Sequence, residues 1–313
     1  SAYRFMELVD GILPPGVMNI LTCGRDGSQA LVAHPLVPRV SLIGSVPTGR
    51  AIARAAAERL KHVSLELGGK NACIIYPDAD LEKAAKGAVG GMNFSWCGQS
   101  CGSTSRLFVH ESVYDRVMEG VMKHIKTHQP GIPTEMDTTM GAIVSRAQME
   151  KVLAYIEIGK QEGARLLTGG AVADSAKYAD GYFFQPTIFD QVRPHMRIAQ
   201  EEIFGPVLSI IEIGSFEEAI EVLNGTAYGL SSSIYTNDVA RAFRAMRDIE
   251  AGITYVNGPT IGAEVHLPFG GVKDTGNGHR EAGTTVYDIF TEWKSIYVDY
   301  SGKLQKAQID NVQ

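Results

Sequence analysis

The chain has 313 residues, 44% hydrophobic and 20% charged, which is typical of a globular protein large enough for two domains. Its formal net charge of −6 comes with no block of basic residues, which argues against nucleic acid or an anionic membrane surface as a partner. No apolar run reaches the length of a bilayer span, and the four cysteines lack disulfide-framework spacing. We therefore expect a cytoplasmic protein with no membrane partner; a targeting segment before Ser1 stays open.

The first seventy residues alternate between helix-like and strand-like segments. Apolar strands that alternate with helices predict a parallel sheet covered by helices on both faces, which is an α/β fold. The predicted helices cover residues 3–12, 28–34 and 47–60, and the predicted strands cover residues 17–22, 40–43 and 63–67.

Longer helices follow in the rest of the chain. An amphipathic helix opens at Ser112. Ser145 with Gln148, and Ser215 with Glu218, form capping boxes that start two more helices. Strands are predicted at residues 105–110, 206–212, 230–235, 252–257 and 290–300. The last of these is an isolated terminal strand, a kind that often pairs with another subunit.

The Gly-Ser-Val-Pro-Thr-Gly run at residues 44–49 lies between a predicted strand and a predicted helix. A helix N-terminus there directs unpaired backbone N–H groups toward an anion such as pyrophosphate. The run matches neither of the common glycine-rich phosphate motifs, so an ordinary strand-to-helix turn stays open as the alternative.

Cys101 is the strongest candidate for a catalytic residue. Its neighbours are glycines and small polar residues, which leave a thiol open to an electrophile, whereas a structural cysteine is usually enclosed by apolar side chains. Glu66 lies in an otherwise apolar strand and is soon followed by two glycines. Together they indicate a covalent thiol intermediate and a base that activates water.

Six blocks carry a family resemblance: IGSVPTG, LELGGKN, WCGQSCGSTSR, EEIFGPVL, YVN and LPFGGVKDTGNGHREAG. Through them the chain resembles the aldehyde dehydrogenase superfamily along nearly its whole length. The resemblance implies oxidation of a small-molecule aldehyde to a carboxylic acid with NAD or NADP. It also implies an incomplete Rossmann-type cofactor domain (1–70), an α/β catalytic domain (71–283), and a return segment with an oligomerisation strand (284–313). Relatives of this kind form homodimers or homotetramers.

The resemblance gives Cys101 the role of the nucleophile, which forms a thiohemiacetal and then a thioester. Glu66 resembles the general base that hydrolyses the thioester. Family branches that release the acyl group to coenzyme A commonly lack this acid, so Glu66 favours the hydrolytic branch. A structural ion pair is the competing interpretation of Glu66.

Cofactor contacts follow from the same blocks. Glu202 matches the residue that holds the nicotinamide-side ribose, and Glu201 is its rival for that role. Phe204 matches a residue beside the ring. Ser45 matches the family's residue near the pyrophosphate, and Leu67 matches one that flanks the nicotinamide. The predicted cofactor-binding residues are Gly44, Ser45, Gly49, Leu67, Glu202 and Phe204.

Three residues are predicted to line the substrate pocket: Trp96, Ser100 and Phe269. Trp96 replaces an asparagine that is common five places before the nucleophile. Phe269 resembles an aromatic wall of the substrate tunnel, with core packing as an equal alternative. Cys97 and Cys101 lack a second ligand pair, so no metal site is predicted.

Family members carry a substantial region before the position that matches Ser1. That region includes residues that grip the adenosine ribose, so the choice between NAD and NADP stays open. We expect the chain to be the C-terminal part of a longer member and to bind cofactor poorly alone. A truncated, non-catalytic member that acts as a scaffold or assembly subunit is the alternative function.

Overall fold

The computed structural model describes residues 2–173 and 176–302. In its first part a two-stranded parallel sheet is accompanied by helices. Strands β1 and β2 pair in a register that places Ile43 opposite Glu66. The elements are α1 (Ala2–Val9), α2 (Arg25–Ala33), β1 (Arg39–Ile43), α3 (Val46–Ala57) and β2 (His62–Glu66).

The second part contains a seven-stranded sheet in the order β10-β9-β3-β4-β7-β6-β5. Every neighbouring pair is parallel except β5 and β6. The strands of this part are β3 (Ala72–Ile75), β4 (Arg106–His110), β5 (Arg165–Thr168), β6 (Thr187–Asp190), β7 (Val207–Ile213), β8 (Tyr228–Gly229), β9 (Ser231–Tyr235), β10 (Ile253–Val256) and β11 (Val272–Lys273). β8 and β11 form a separate antiparallel pair.

Helices pack against this sheet and bury its apolar strands. The helices are α4 (Leu81–Gly91), α5 (Tyr114–Ile125), α6 (Arg146–Gln161), α7 (Arg197–Gln200), α8 (Phe216–Asn224), α9 (Val239–Asp248) and α10 (Val286–Phe290). Buried residues of β3, β4, β7, α4 and α5 form one continuous core. Burial of this apolar surface is the main stabilising contribution to the fold.

The α/β fold with a mainly parallel sheet is confirmed, and both capping predictions are correct. Ser145 Oγ accepts a hydrogen bond from Gln148 N, and Ser215 Oγ accepts one from Glu218 N. These bonds satisfy backbone donors that have no partner inside the helix. The domain boundaries stay a prediction, although the small sheet lies before residue 70 and the large sheet after it.

Two predicted strands are not formed within the chain. Residues 17–22 make no ladder, so a strand there is wrong for this structure, and Val17 and Leu21 are exposed. Residues 291–300 have no regular secondary structure, and residue 290 ends α10. A strand exists only when it pairs, and neither segment has a partner strand in the described residues. Pairing of the terminal segment with another subunit stays a prediction, and its end, residues 303–313, lies outside the described residues.

No helix in the described ranges has the length and apolar character needed to span a bilayer.

Candidate active site

Cys101 lies in the loop between α4 and β4. The chain leaves α4 through left-handed backbone conformations at Asn93, Cys97 and Gly98, with φ values of 60°, 56° and 63°. A Cβ atom on Gly98 would collide with Gly205 O, so glycine is required there. This tight path brings Cys101, which is half-buried, to the wall of a pocket of about 440 Å³.

Asn71 holds this loop in place from the start of β3. Its Nδ2 donates to Cys101 O at 2.6 Å and to Ser103 O at 2.9 Å. Its Oδ1 accepts from Ser231 N at 2.9 Å. Because Asn71 is only 3% exposed, these bonds form away from water and fix the loop relative to β9.

The environment of the Cys101 thiol disfavours its ionisation. Burial raises the pKa of the thiol, and the charges of Glu202 and, to a smaller extent, Glu66 raise it further. The backbone N–H groups of Cys101 and Gly102 act in the opposite direction because they donate hydrogen bonds toward the sulfur. The same amides are suited to an oxyanion formed at this position.

Glu66 ends β2 as a buried carboxyl group that is 3% exposed. Among the described residues, neither of its oxygens has a hydrogen-bond partner. Burial raises its pKa to about 8; Glu281 raises this pKa as well, and Arg280 lowers it. Glu66 is therefore not held in a structural ion pair, and a carboxyl group with this pKa can accept a proton near neutral pH.

Gly270 makes room for this carboxyl group. It has a φ of +148°, and a Cβ atom there would lie 2.6 Å from Glu66 Oε1. Any other residue would be strained in its backbone and would displace Glu66. Gly270 follows Phe269 directly, so the pocket wall and the buried acid are fixed together.

The structure separates the two neighbouring acids at positions 201 and 202. Glu201 accepts hydrogen bonds from Arg197 at 2.8 and 2.9 Å and from Tyr155 Oη at 2.6 Å. Glu202 instead turns toward the turn after β2, where Gly69 N donates to its Oε1 at 3.1 Å. Burial raises the pKa of Glu202. Glu202 and Phe204 border the same narrow cavity, which adjoins the loop that carries Cys101.

The other predicted cofactor residues meet at the N-terminus of α3. Ser45 caps this helix, because its Oγ accepts from Thr48 N at 3.4 Å. The Gly44 amide is engaged in the sheet, since it donates to Glu66 O at 3.0 Å. Gly49 lets α3 approach Leu67, because a Cβ atom there would lie 2.7 Å from Leu67 Cδ1. The glycines therefore shape this turn, and Ser45 marks its open end.

An apolar groove of about 650 Å³ lies between α2 and α3 and was missed by the sequence reasoning. Val32, Ile52 and Ala55 form part of its walls, and Pro47 and Thr48 bring it to the N-terminus of α3. A flat apolar ring attached to an anionic group fits such a surface. Amphipathic α2 and α3 were its only sequence signal.

All three predicted pocket residues line the pocket that contains Cys101. Trp96 lies at its rim with 66% of its surface exposed, and Ser100 and Phe269 are half-buried. Tyr255 and Thr260 also line the pocket and were not singled out from the sequence. Tyr255 belongs to the YVN block, whose position at the end of a predicted strand was the available signal.

Lys70 is a further unexpected feature, because it is 2% exposed and adjoins the turn that contacts Glu202. Its Nζ has no hydrogen-bond partner among the described residues. Burial lowers its pKa to about 7; Arg106 lowers this pKa further, and Glu202 raises it. No pattern in the sequence indicates this burial, since lysine is usually solvated.

Cys97 is placed differently from Cys101 although only three residues separate them. Its thiol is 1% exposed and donates to Gly141 O at 3.1 Å. Burial raises its pKa to about 12. Within the described ranges, no group of three or more metal-binding side chains is present.

Comparisons with known proteins agree with this geometry. The model of the aldehyde dehydrogenase family matches residues 1–296. The chain is 46% identical over 306 residues to aldehyde dehydrogenase tropH of Talaromyces stipitatus, covering 96% of this chain and 59% of that protein. It is 43% identical to a betaine aldehyde dehydrogenase of Brucella anthropi, covering 92% of this chain and 58% of that protein.

A solved structure shows the same fold. The NAD-dependent aldehyde dehydrogenase from Sinorhizobium meliloti superposes with a TM-score of 0.91 at 37% identity, over 98% of this chain and 60% of that one. The chain thus spans about three fifths of the length of the proteins that it matches.

The four cysteines should differ in alkylation by iodoacetamide. We expect label on Cys23, which is exposed, and on Cys101, which opens on the pocket, with Cys101 the slower because its pKa is raised. Burial raises the pKa of Cys73 and of Cys97 to about 12, so both should stay unlabelled in the folded protein. Peptide mass spectrometry measures the four rates. Labelling of Cys97 as fast as Cys101 would contradict this assignment.

Replacing Asn71 by alanine should destabilise the protein and disturb the loop that carries Cys101. The change leaves Cys101 O and Ser231 N unpaired and removes one of the two bonds to Ser103 O, which should lower the free energy of unfolding by about 3 kcal/mol. Asn19→Ala is the matched control, since Asn19 makes one exposed bond to Gly16 O and should change stability by less than about 0.5 kcal/mol. Denaturant unfolding measures both; equal effects would show that Asn71 is not the anchor.

Proposed function

Because the chain belongs to the aldehyde dehydrogenase family, we propose that it carries out the oxidation of an aldehyde to a carboxylic acid with NAD or NADP. The observation that carries this proposal is the arrangement of two groups around one pocket wall: Phe269 lines the pocket that contains Cys101, and the next residue, Gly270, packs against the Glu66 carboxyl group. The thiol opens on a pocket of about 440 Å³, and the buried carboxyl group lies near enough for its charge to raise the pKa of the thiol. Since the chain spans about three fifths of its relatives, the activity is proposed for the whole protein.

The residues present fit a dinucleotide cofactor. The groove between α2 and α3 suits the adenine ring, and the α3 N-terminus at Ser45 suits the pyrophosphate. Glu202, held by Gly69 N on one oxygen, is placed to accept hydrogen bonds from a ribose. When bound, NAD or NADP supplies the acceptor for the hydride that the substrate loses.

The chemistry of the chain itself begins and ends at Cys101. Cys101 reacts as the thiolate: the thiol loses its proton to solvent, the sulfur bonds to the aldehyde carbon, and the carbonyl oxygen, which faces the backbone N–H of Cys101, takes up the negative charge of the thiohemiacetal. After oxidation the acyl group remains on sulfur as a thioester. Glu66 takes a proton from a water molecule, the water oxygen bonds to the acyl carbon, and the carbon–sulfur bond breaks to release the acid and the thiolate.

The proposal extends to a homodimer or homotetramer in the cytoplasm. Ile296 and Val298 are exposed in the unpaired terminal segment, and Trp293 and Tyr297 add aromatic surface there. An extended apolar segment without a partner is suited to pairing with a second copy.

Glu66→Gln should separate acylation from hydrolysis. Because glutamine cannot take a proton from water, we expect the acyl group to accumulate on Cys101 and its release to slow by about 100-fold or more. Intact-protein mass spectrometry after mixing with aldehyde and NAD measures the adduct. Cys101→Ala is the control and should form no adduct. Turnover of Glu66→Gln at the wild-type rate would remove Glu66 as the base, and inactivity of the wild type would favour the scaffold alternative.

The pH dependence should follow the raised pKa of Glu66. Only the carboxylate accepts a proton, so thioester hydrolysis should rise with pH through a midpoint near 8. The same shift affects folding: the stabilising contribution of protonated Glu66 is complete below its ordinary pKa of 4.5 and is lost as pH rises through about 8. Unfolding of the wild type and Glu66→Gln across this range measures the effect. Identical pH profiles for the two proteins would contradict it.

A further inference from the structure

The pocket in front of Cys101 has a strongly aromatic lining. Trp96 comes from the loop after α4, Tyr255 from β10 and Phe269 from the segment before β11. Ile253 and Ile261 add aliphatic surface. Three rings from three separate segments surround one space, so the lining follows from the tertiary fold and not from a local cluster.

Among the described residues, the side chains that line this pocket carry no formal charge. Of the described residues that border the pocket, none is aspartate, glutamate, lysine, arginine or histidine. The acid next to it in sequence, Glu264, is exposed and acts only from outside, where its charge adds to burial in raising the pKa of Tyr255. An anionic substrate would lose hydration in this pocket without meeting an opposite charge, and the carboxylates of Glu202 and Glu66, whose charges reach the Cys101 thiol, would repel it.

Two polar groups of the wall are occupied by bonds within the protein. Thr260 Oγ1 donates to Gly102 O at 2.6 Å, and Ser231 Oγ donates to Thr260 O at 2.7 Å. Ser100 Oγ accepts from Gly102 N at 3.3 Å. These bonds fix the loop that carries Cys101. Because the hydroxyl groups of Ser231 and Thr260 already donate within the protein, they cannot donate to a carboxylate on the substrate.

We propose that the substrate of this protein is an uncharged aldehyde with a flat aromatic body, held between Trp96, Tyr255 and Phe269. This inference rests on the proposed function and narrows its substrate class. Aromatic rings bury much surface and pair favourably edge-to-face or offset, which a wall of three rings provides. A pocket of about 440 Å³ is within the range of small-molecule sites.

A quaternary ammonium aldehyde is the strongest competitor, because aromatic faces attract cations. Two features disfavour it. Trp96 is 66% exposed, and such attraction is weak where water screens it. None of the described lining residues is a carboxylate, and burial raises the pKa of the two acids near the thiol, Glu66 and Glu202, which weakens them as partners of a cation.

A three-member panel tests the substrate class on the purified full protein with NAD or NADP. Phenylacetaldehyde is neutral and aromatic, betaine aldehyde is cationic, and succinic semialdehyde is anionic. We expect kcat/KM for phenylacetaldehyde to exceed that for either charged aldehyde by about tenfold or more. An equal or higher value for a charged aldehyde overturns the inference and leaves the proposed function intact.

Trp96 gives a sharper test within the same panel. Trp96→Ala should raise KM for phenylacetaldehyde by about tenfold, and Trp96→Phe should restore most of the loss because it keeps a ring at the rim. Phe243→Ala is the matched control, since Phe243 is also an aromatic residue with 66% exposure but lies on α9, away from the pocket. Equal effects of Trp96→Ala and Phe243→Ala would overturn the role of Trp96.

Protection of Cys101 from iodoacetamide tests the pocket without turnover. Phenylacetamide should slow alkylation of Cys101, and the anionic succinamate and the cationic amide of glycine betaine should not. Protection by phenylacetamide in a protein that oxidises no aldehyde would support the pocket chemistry while refuting the proposed function. Protection by a charged amide alone would overturn the inference.

Discussion

The three hydrogen bonds of Asn71 join the parts of the molecule that must act together. Asn71 directly precedes β3, five residues after Glu66 and two after Gly69, the glycine whose N–H donates to Glu202. Its side chain reaches the loop of Cys101 on one side and β9 on the other. The positions of Cys101, Glu66 and Glu202 therefore all depend on one short turn. A shift of that turn would move all three, and its glycines leave no room for one: a Cβ atom on Gly68 would collide with Glu202 Oε2, and a Cβ atom on Gly69 would collide with Cys101 O.

Burial, more than ion pairing, determines the pKa values of Glu66 and Lys70 near this turn. In the described part of the chain, the carboxyl oxygens of Glu66 have no hydrogen-bond partner, and neither has Lys70 Nζ. Burial shifts their pKa values in opposite directions, to about 8 and about 7. Each group can thus change its charge near neutral pH at little cost. Glu201 shows the contrast, since Arg197 and Tyr155 hold it as a carboxylate and lower its pKa.

Local sequence signals predicted the elements that depend on local contacts. The caps at Ser145 and Ser215 need only residues three positions away, and both were found. A strand at residues 17–22 would need a partner strand elsewhere in the chain, and a local sequence pattern contains no information about such a partner. β3 was missed because it is a four-residue run, too short for periodicity to separate strand from helix.

The residues of the candidate site also divide into those that the local sequence indicates and those that only the tertiary fold identifies. Cys101 and Glu66 stood out by chemistry, because a thiol among small residues and an acid among apolar ones are unusual. The choice between Glu201 and Glu202 required the fold, since adjacent acids differ only in what tertiary packing brings to them. The neutral aromatic lining likewise depends on three distant segments, and only Trp96 and Phe269 of its rings carried a signal.

The raised pKa of the Cys101 thiol has a consequence for the protein at rest. A thiol that holds its proton presents little thiolate to peroxides, heavy metals or stray electrophiles, all of which react with the anion. Two neighbouring carboxyl groups reinforce this by repelling a negative sulfur. The reactivity of Cys101 is therefore set by the charge around its sulfur, and a positive group brought close to the sulfur would raise its fraction of thiolate.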